Sequence, residues 1–434
     1  MYYVNMLRRF VTIPIYRNAL YLIFNTAITS LLGFLFWVAI ARFYSGAELG
    51  FASSIISAIN LIAIVSVVGL NFSLVRFLSQ ADRPKELINS SFTLSIIISL
   101  VAAGVFIAGL DLWSPALSFV AQNIYFAITF IVAAIMSTLL DLIDAVFLAR
   151  RRVGFVFYRN TVISILRIPL SIALAISFQT FGVVSSWAIG LGTGVAISFF
   201  LLLPRVEDGY KPVPTLNMSR IKGTWQYSGN SYLSSLLSQV PVMILPLMVV
   251  NLLGAESSAY YYLAWTIANL LFAIPRSISQ SLFAEGSFSK KTVKENVMRS
   301  IKLTFILLIP AVAILILAGK WILLAFGPSY SANALHLLWL LGLSSLPRGL
   351  NSVYTSLLRV KDGLKELIII QLFIAVAVLA LSFLLMQYHG IIGIGYVWLG
   401  VQVLVSIVLS YRLVTRLSQL NVTKGSVSEG ADTF

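Results

Sequence analysis

The sequence predicts an all-α polytopic membrane protein, with twelve transmembrane helices in two parallel-repeat six-helix bundles around a central cavity. Three observations carry that expectation. The 434 residues are 59% hydrophobic and 10% charged, with a mean hydropathy of +0.94; a soluble domain is roughly 45–50% apolar and about 25% charged. Apolar runs of about 20 residues, enough to cross a hydrocarbon layer about 30 Å thick, recur from end to end. Short motifs of the first half return in the second at one constant offset. Strand-like alternation is missing, which leaves helices as the spanning elements.

The expected spans, in order, are Leu20–Phe43, Leu49–Leu70, Leu87–Leu110, Leu117–Leu148, Asn160–Phe178 and Val183–Leu203. The second half supplies Ser228–Leu253, Ala259–Phe283, Ile301–Phe326, Ala334–Leu358, Leu367–Tyr388 and Ile391–Val414. Pro14 and Arg17 interrupt the apolar stretch of the N-terminus, which lacks the h-region and cleavage site of a signal peptide, so the first span is expected to stay. Arg8-Arg9 is followed by too short a run for a twin-arginine signal.

Basic residues alternate between loops. They cluster as Arg8, Arg9 and Arg17; Arg76, Arg83 and Lys85; Arg150, Arg151, Arg152 and Arg159; and Arg205, Lys211, Arg220 and Lys222. The same side continues with Lys290, Lys291, Lys294, Arg299 and Lys302; Arg359, Lys361 and Lys365; and Arg412, Arg416 and Lys424. The opposite loops hold only Arg42 and Lys320. By the positive-inside rule both termini are cytoplasmic in a multi-pass protein of the cell membrane. The net charge of +15 is therefore a topology signal and not a nucleic-acid footprint.

Gly46-Ala47-Glu48 recurs as Gly254-Ala255-Glu256, an offset of 208. The run Gln179-Thr180-Phe181-Gly182-Val183-Val184 aligns with Gln387-Tyr388-His389-Gly390-Ile391-Ile392 in the same register. Six spans per repeat preserve orientation, so the halves are parallel repeats, an arrangement associated with alternating-access transporters. The expected domains are residues 18–204, a cytoplasmic linker 205–222, residues 223–416 and a polar cytoplasmic tail 417–434.

Five ionisable residues fall inside the spans: Asp141, Asp144, Arg167, Arg276 and Arg348. Each is costly there, from about 2.5 kcal/mol upward, and needs a partner or a wet cavity. At about 1.5 Å per residue from the nearest cytoplasmic loop, Asp141, Arg167, Arg276 and Arg348 lie roughly 12–16 Å deep. Spans 4 and 5 form a hairpin, so Asp141 and Arg167 are either an ion pair or direct substrate contacts. Asp144 is expected to pair with the Arg150–Arg152 cluster. The second half has no intramembrane acid, which makes Arg276 and Arg348, with Arg167 beside them, the candidate phosphate ligands. The guanidinium fork matches two phosphate oxygens at once. The alternative is that each caps carbonyls freed by Pro275, Pro347 or Pro169.

Span 7 carries a polar stripe of Ser228, Ser231, Ser235, Ser238 and Gln239 with Asn230 beside it. It reads as a cavity lining or as close helix packing. Asn25 and Thr29 in span 1, Asn60 in span 2 and Asn269 in span 8 are further candidate cavity residues. The two histidines, His336 and His389, are far apart, and there is no cysteine, so no metal or other cofactor is expected. No nucleophile–base set or phosphate loop appears, and an enzyme is not expected.

Several stretches together resemble the multidrug/oligosaccharidyl-lipid/polysaccharide flippase superfamily, in its polysaccharide, O-antigen flippase-like branch. They are Ala41-Arg42 with Gly46-Ala47-Glu48-Leu49-Gly50, Gly69 through Arg76, and Pro275 leading to Leu282-Phe283 and Ser287. Phe326-Gly327-Pro328-Ser329-Tyr330, followed by Ala334 and Leu338, is the most specific of them. Ala284 stands where the family often shows proline. The resemblance implies a polyprenyl-phosphate- or pyrophosphate-linked oligosaccharide moved from the cytoplasmic to the outer leaflet, with glycosyltransferases or a polymerase of the same pathway as partners. Two other readings stay open: a cation-coupled exporter of amphipathic small molecules, and a non-transporting membrane scaffold for glycan assembly. Spans 1 and 7 lack the acidic residues expected of the exporter.

Overall fold

The computed structural model describes residues 14–288, 293–360 and 363–428, without the side chains of 14–28, 175–177, 220, 222–227, 281, 283–288, 293–294, 360 and 416–428. Arg8, Arg9, Lys290, Lys291 and Lys361 of the charge pattern lie outside the described residues, as do the side chains of Arg17 and Asn25. Every regular element of the described chain is helical. Its long helices are α1 (Pro14–Phe43), α2 (Gly46–Ser66), α3 (Pro84–Ala108), α4 (Ile124–Ala149), α5 (Val153–Leu174) and α6 (Phe178–Arg205). They continue as α7 (Met218–Leu253), α8 (Ala255–Phe288), α9 (Val293–Leu324), α10 (Pro328–Val360), α11 (Leu364–His389) and α12 (Ile391–Ser428).

Among the described residues nine helices are long and apolar enough to cross a membrane: α2 to α7, α9, α11 and α12. The described part of α1, Thr29–Phe43, is apolar but shorter. In α8 and α10, serines, asparagines and an arginine interrupt the apolar sequence and lower its hydropathy. Several helices outrun the expected spans. Span 7 was expected from Ser228 and span 10 from Ala334, but α7 starts at Met218 and α10 at Pro328. Span 4 was expected from Leu117, yet residues 115–122 form two short helical turns and α4 starts at Ile124.

Local chemistry accounts for the boundaries. Ser45 caps α2 in a capping box: its hydroxyl accepts from Glu48 N at 3.2 Å, and its own N–H donates to Glu48 Oε2 at 2.7 Å. Asn123 caps α4 by accepting from Tyr125 N and Phe126 N. Positive φ at Val68 (48°) and Gly69 (79°) separates α2 from the short helix Leu70–Phe77. A Cβ on Gly69 would stand 2.9 Å from Tyr232 Cβ, so both backbone and space require glycine there. Gln179 (φ 47°, ψ −135°) breaks the helical geometry at the start of α6 and so separates it from α5.

The chain forms two compact units, residues 1–262 and 263–434. In the first, α2 and the short helix after it pack on α7 and on the start of α8. Ser54 and Ser258 hydroxyls meet at 2.9 Å, Ser73 and Ser228 at 2.8 Å, and Tyr232 Oη donates to Val65 O at 3.0 Å. A Cβ on Gly50 would lie 1.7 Å from Ala255 O, so the two backbones touch there.

The segment following α6 is fastened to the same unit. Arg150 pairs with the nearly buried Glu207. Tyr210 Oη donates to Asn89 Oδ1 at 2.7 Å, and burial pushes its phenol above the ordinary tyrosine range. Asn217 Nδ2 donates to Glu86 Oε1 at 2.7 Å. In the second unit α10 packs against α9 and α12, and α11 against α12. Glu366 accepts there from Tyr354 Oη at 2.7 Å and from Arg412 Nη1 at 2.9 Å.

Candidate functional site

The first unit holds a cavity of about 330 Å3 between α1, α4, α5 and α6. Thr29, Ser137, Asp141, Asp144 and Arg167 line it, and so do Phe36, Trp37, Arg159, Asn160 and Trp187. A second cavity of about 300 Å3 shares Ser137, Asp141 and Asp144 and adds Asn60, Asn71, Tyr232, Ser235 and Gln239. Asp141 therefore faces both, exposed to each although it lies mid-sequence in an apolar helix. Asn60 Oδ1 accepts from Ser137 Oγ at 3.5 Å.

The charges pair differently from expectation. Asp144 does not reach the Arg150–Arg152 cluster; it pairs with Arg159, Oδ1 to Nη2 at 2.7 Å. The reason is the geometry of an antiparallel hairpin. The chain reverses at residues 150–152, where Arg151 has φ 56°, so residues equally far from that turn stand side by side. Asp144 is seven residues before Arg151 and Arg159 eight after it. By the same rule Arg167 lies opposite the region of Ser137, about a turn beyond Asp141. Among the described residues no ion pair joins Asp141 to Arg167. Arg159 itself, expected in a loop, is inside α5 and only 2% exposed.

Arg167 instead lies flat over the Trp187 ring, 3.7 Å from guanidinium to centroid. A desolvated cation–π contact of this kind contributes about 2 kcal/mol. Gly190 makes the approach feasible, because a Cβ there would be 2.6 Å from Arg167 Nε. Ring contacts continue from Trp187 to Phe36 and from Phe36 to Trp37.

In the second unit Arg348 stands over Phe272 at 4.3 Å and near Trp398 at 5.6 Å. Trp265 joins them, edge to face with Trp398 at 4.7 Å and with Phe272 at 5.6 Å. Arg276, one turn along α8 from Phe272, is exposed, and a Cβ on Gly349 would lie 3.9 Å from Pro275 Cβ, so the residues next to the two arginines are in contact. Nη1 of Arg348 is buried with no hydrogen-bond partner among the described residues. Among the described residues neither guanidinium has a carboxylate within ion-pair distance.

The remaining expected residues divide. Asn230 and Asn269 are exposed, Ser231 is half-buried, and none of the three lines either cavity. Ser238 donates to Ser235 O at 2.7 Å within its own helix. Ser228 is engaged with Ser73. His336 packs on Trp339 and His389 on Tyr396. No cluster of three or more His, Cys, Asp or Glu suited to a metal occurs among the described residues. Sequence reasoning missed Trp37, Asn160 and Trp187. A signal for Trp187 exists in its spacing: Gly190 follows three residues later, so tryptophan and glycine share one face of α6 and leave room for a long side chain from a neighbouring helix.

Comparisons with known proteins agree with this architecture. A family model described as a polysaccharide biosynthesis protein matches residues 39–334. A Shigella flexneri protein named as an O-antigen transporter is 26% identical over 194 residues, 44% of this chain. The matched part spans 46% of that relative's length, just under half. The solved structure of a MATE family multidrug resistance transporter, inward-facing, superposes with a TM-score of 0.68 at 15% identity, covering 92% of this chain and 99% of that one. The lipid II flippase MurJ, in an inward closed conformation, gives a TM-score of 0.71 at 14% identity, covering 91% and 87%. At such identities the likeness is one of fold.

Proposed function

The chain belongs to the polysaccharide biosynthesis protein family, and from that premise we propose that it is a multi-pass membrane transporter and not an enzyme, a lipid-linked oligosaccharide flippase. It moves a polyprenyl-(pyro)phosphate-linked oligosaccharide from the cytoplasmic to the outer leaflet by alternating access. The proposal includes twelve spans with both termini cytoplasmic, supported by the charge alternation and by the repeat offset of 208.

The observation that carries the reading is the Arg276–Arg348 pair. Two guanidiniums on neighbouring turns of touching helices, with no carboxylate partner among the described residues, need an anion or water to offset their charge. A phosphate meets both needs, since each fork can take two oxygens. The O-antigen transporter relative supports a glycan substrate. The lipid tail would remain in the bilayer, so only the head group has to be carried past the apolar layer.

The energetics need no coupling ion. A pyrophosphate of charge about −2 moving outward goes down a potential that is negative inside, about 2.3 kcal/mol per charge per 100 mV. A second reading, a cation-coupled exporter, has Asp141 in its favour, because that carboxylate faces both cavities. Deleting the gene and identifying the accumulating lipid-linked sugars by mass spectrometry separates the two. Accumulation of a lipid-linked oligosaccharide, reversed by the wild-type gene, supports the flippase; an unchanged lipid-linked pool refutes it.

A further inference from the structure

The cavity between α1, α4, α5 and α6 has a chemistry unlike that of the Arg276–Arg348 pair. Its walls carry two carboxylates, Asp141 and Asp144, and two guanidiniums, Arg159 and Arg167, so their formal charges cancel. Hydrogen-bonding capacity is open on both sides. Arg159 Nη1, Arg167 Nε and Trp187 Nε1 are buried just behind the wall with no partner among the described residues, and Ser137, Asn160 and Ser164 bring polar groups to the wall itself. Among the described residues no hydrogen bond or ion pair engages the Asp141 carboxylate, which is exposed to the cavity. Phe36, Trp37 and Trp187 supply apolar wall beside these polar groups.

We infer that this cavity binds a neutral polyhydroxyl ligand, one sugar ring of the transported glycan. The inference rests on the flippase reading and names a site for the sugar, apart from the phosphate. A phosphate placed here would face two carboxylates, and a metal cation would face two guanidiniums. Vicinal hydroxyls both donate and accept, so they suit the Asp141 carboxylate together with the polar groups of Ser137, Asn160 and Ser164 on the same wall, without leaving a net charge. Their C–H faces suit the aromatic wall. The volume of about 330 Å3 lies at the lower end of ligand pockets, about 300–1,000 Å3, and suits a single ring. The adjoining cavity, reached across Ser137 and Asp141, offers amides and hydroxyls from Asn60, Asn71, Ser235 and Gln239 to the next ring.

The chain has no native cysteine, so Ser137→Cys, on the wall common to both cavities, gives a single reporter. The purified full-length S137C variant is labelled with a small methanethiosulfonate reagent. Two probes are added separately: the reducing oligosaccharide freed by mild acid from the source strain's lipid-linked glycans, and inorganic pyrophosphate. Labelling is expected to slow several-fold with the oligosaccharide and to be unchanged by pyrophosphate. Adding Asp141→Asn should remove the protection, and adding Arg348→Gln should leave it. Should S137C not fold, Ser164→Cys on the wall of the first cavity replaces it. Protection by pyrophosphate, protection by sodium chloride alone, or equal labelling with and without the oligosaccharide overturns the inference. Failure of the phosphate assignment reads out separately, as normal transport by Arg276→Gln and Arg348→Gln variants whose sugar protection persists.

Discussion

Replacing Asp144 by asparagine strands a guanidinium that the fold has already taken out of water. The Arg159 side chain is 1% exposed and that of Asp144 is 37% exposed, so the two partners of the pair are unequal. Breaking a buried pair by removing one charge costs about 3–5 kcal/mol. Asn160 Oδ1 still accepts from Arg159 Nη2 at 2.8 Å and Nε at 3.2 Å, which places Asp144→Asn at the low end, about 3 kcal/mol. Arg159→Met keeps most of the stem packing and leaves a carboxylate that water already reaches, for about 1 kcal/mol. The double variant should cost little more than Arg159→Met alone, a coupling of about 3 kcal/mol in a double-mutant cycle. Unfolding in mixed detergent micelles, followed by the fluorescence of the eight tryptophans, measures all three. Equal costs for the two single variants, or strict additivity in the double, would refute the assignment of Arg159 as the buried member of the pair.

Gly50→Ala should reduce membrane abundance and stability by about 1–3 kcal/mol or more, because its Cβ meets Ala255 O at 1.7 Å; an immunoblot of membranes checks it. Gly190→Ala should cost less, since its first contact is the flexible end of Arg167, and unfolding curves of the two variants rank them. An Asp111→Cys variant should react with an impermeant maleimide from outside intact cells and a Lys211→Cys variant should not; the reverse pattern contradicts the proposed orientation. Collapsing the membrane potential should slow outward flipping, by up to the equivalent of about 4–5 kcal/mol of bias per 100 mV for a doubly charged pyrophosphate. Undiminished flipping would show that the potential does not drive it.

Much of the helical layout is legible in the sequence because burial in lipid demands long apolar runs, and these are local. The start of α2 is legible for the same reason: Ser45 and Glu48 sit at capping-box spacing, and both of its bonds form. Side-chain partnerships are harder, because they depend on where two helices meet. Nearness in the chain pointed Asp144 to Arg150–Arg152, while the hairpin delivered Arg159. Counting residues outward from Arg151 on both arms would have found it. Arg159 also looked like a loop charge, because α5 begins at Val153, seven residues before the apolar run is evident. The stacking of Arg167 on Trp187 depends on the break at Gln179 that returns α6 along α5. The break is legible as the gap between two apolar runs, but which side chains then meet is set by the packing of the two helices. The segment after α6 read as a linker from its prolines and charges; its bonds to Arg150, Asn89 and Glu86 are long-range and came only with the fold.

Flipping itself can be measured in proteoliposomes that contain the purified protein and the source strain's lipid-linked oligosaccharide. An impermeant sugar oxidant reads how much glycan has reached the outer leaflet. Transfer should depend on the protein and be abolished by Arg276→Gln and by Arg348→Gln. Lysine at either position should keep part of it, since it retains the charge without the fork. Wild-type rates in both glutamine variants at normal abundance would contradict the phosphate assignment, and no transfer by the wild-type protein would contradict the flippase itself.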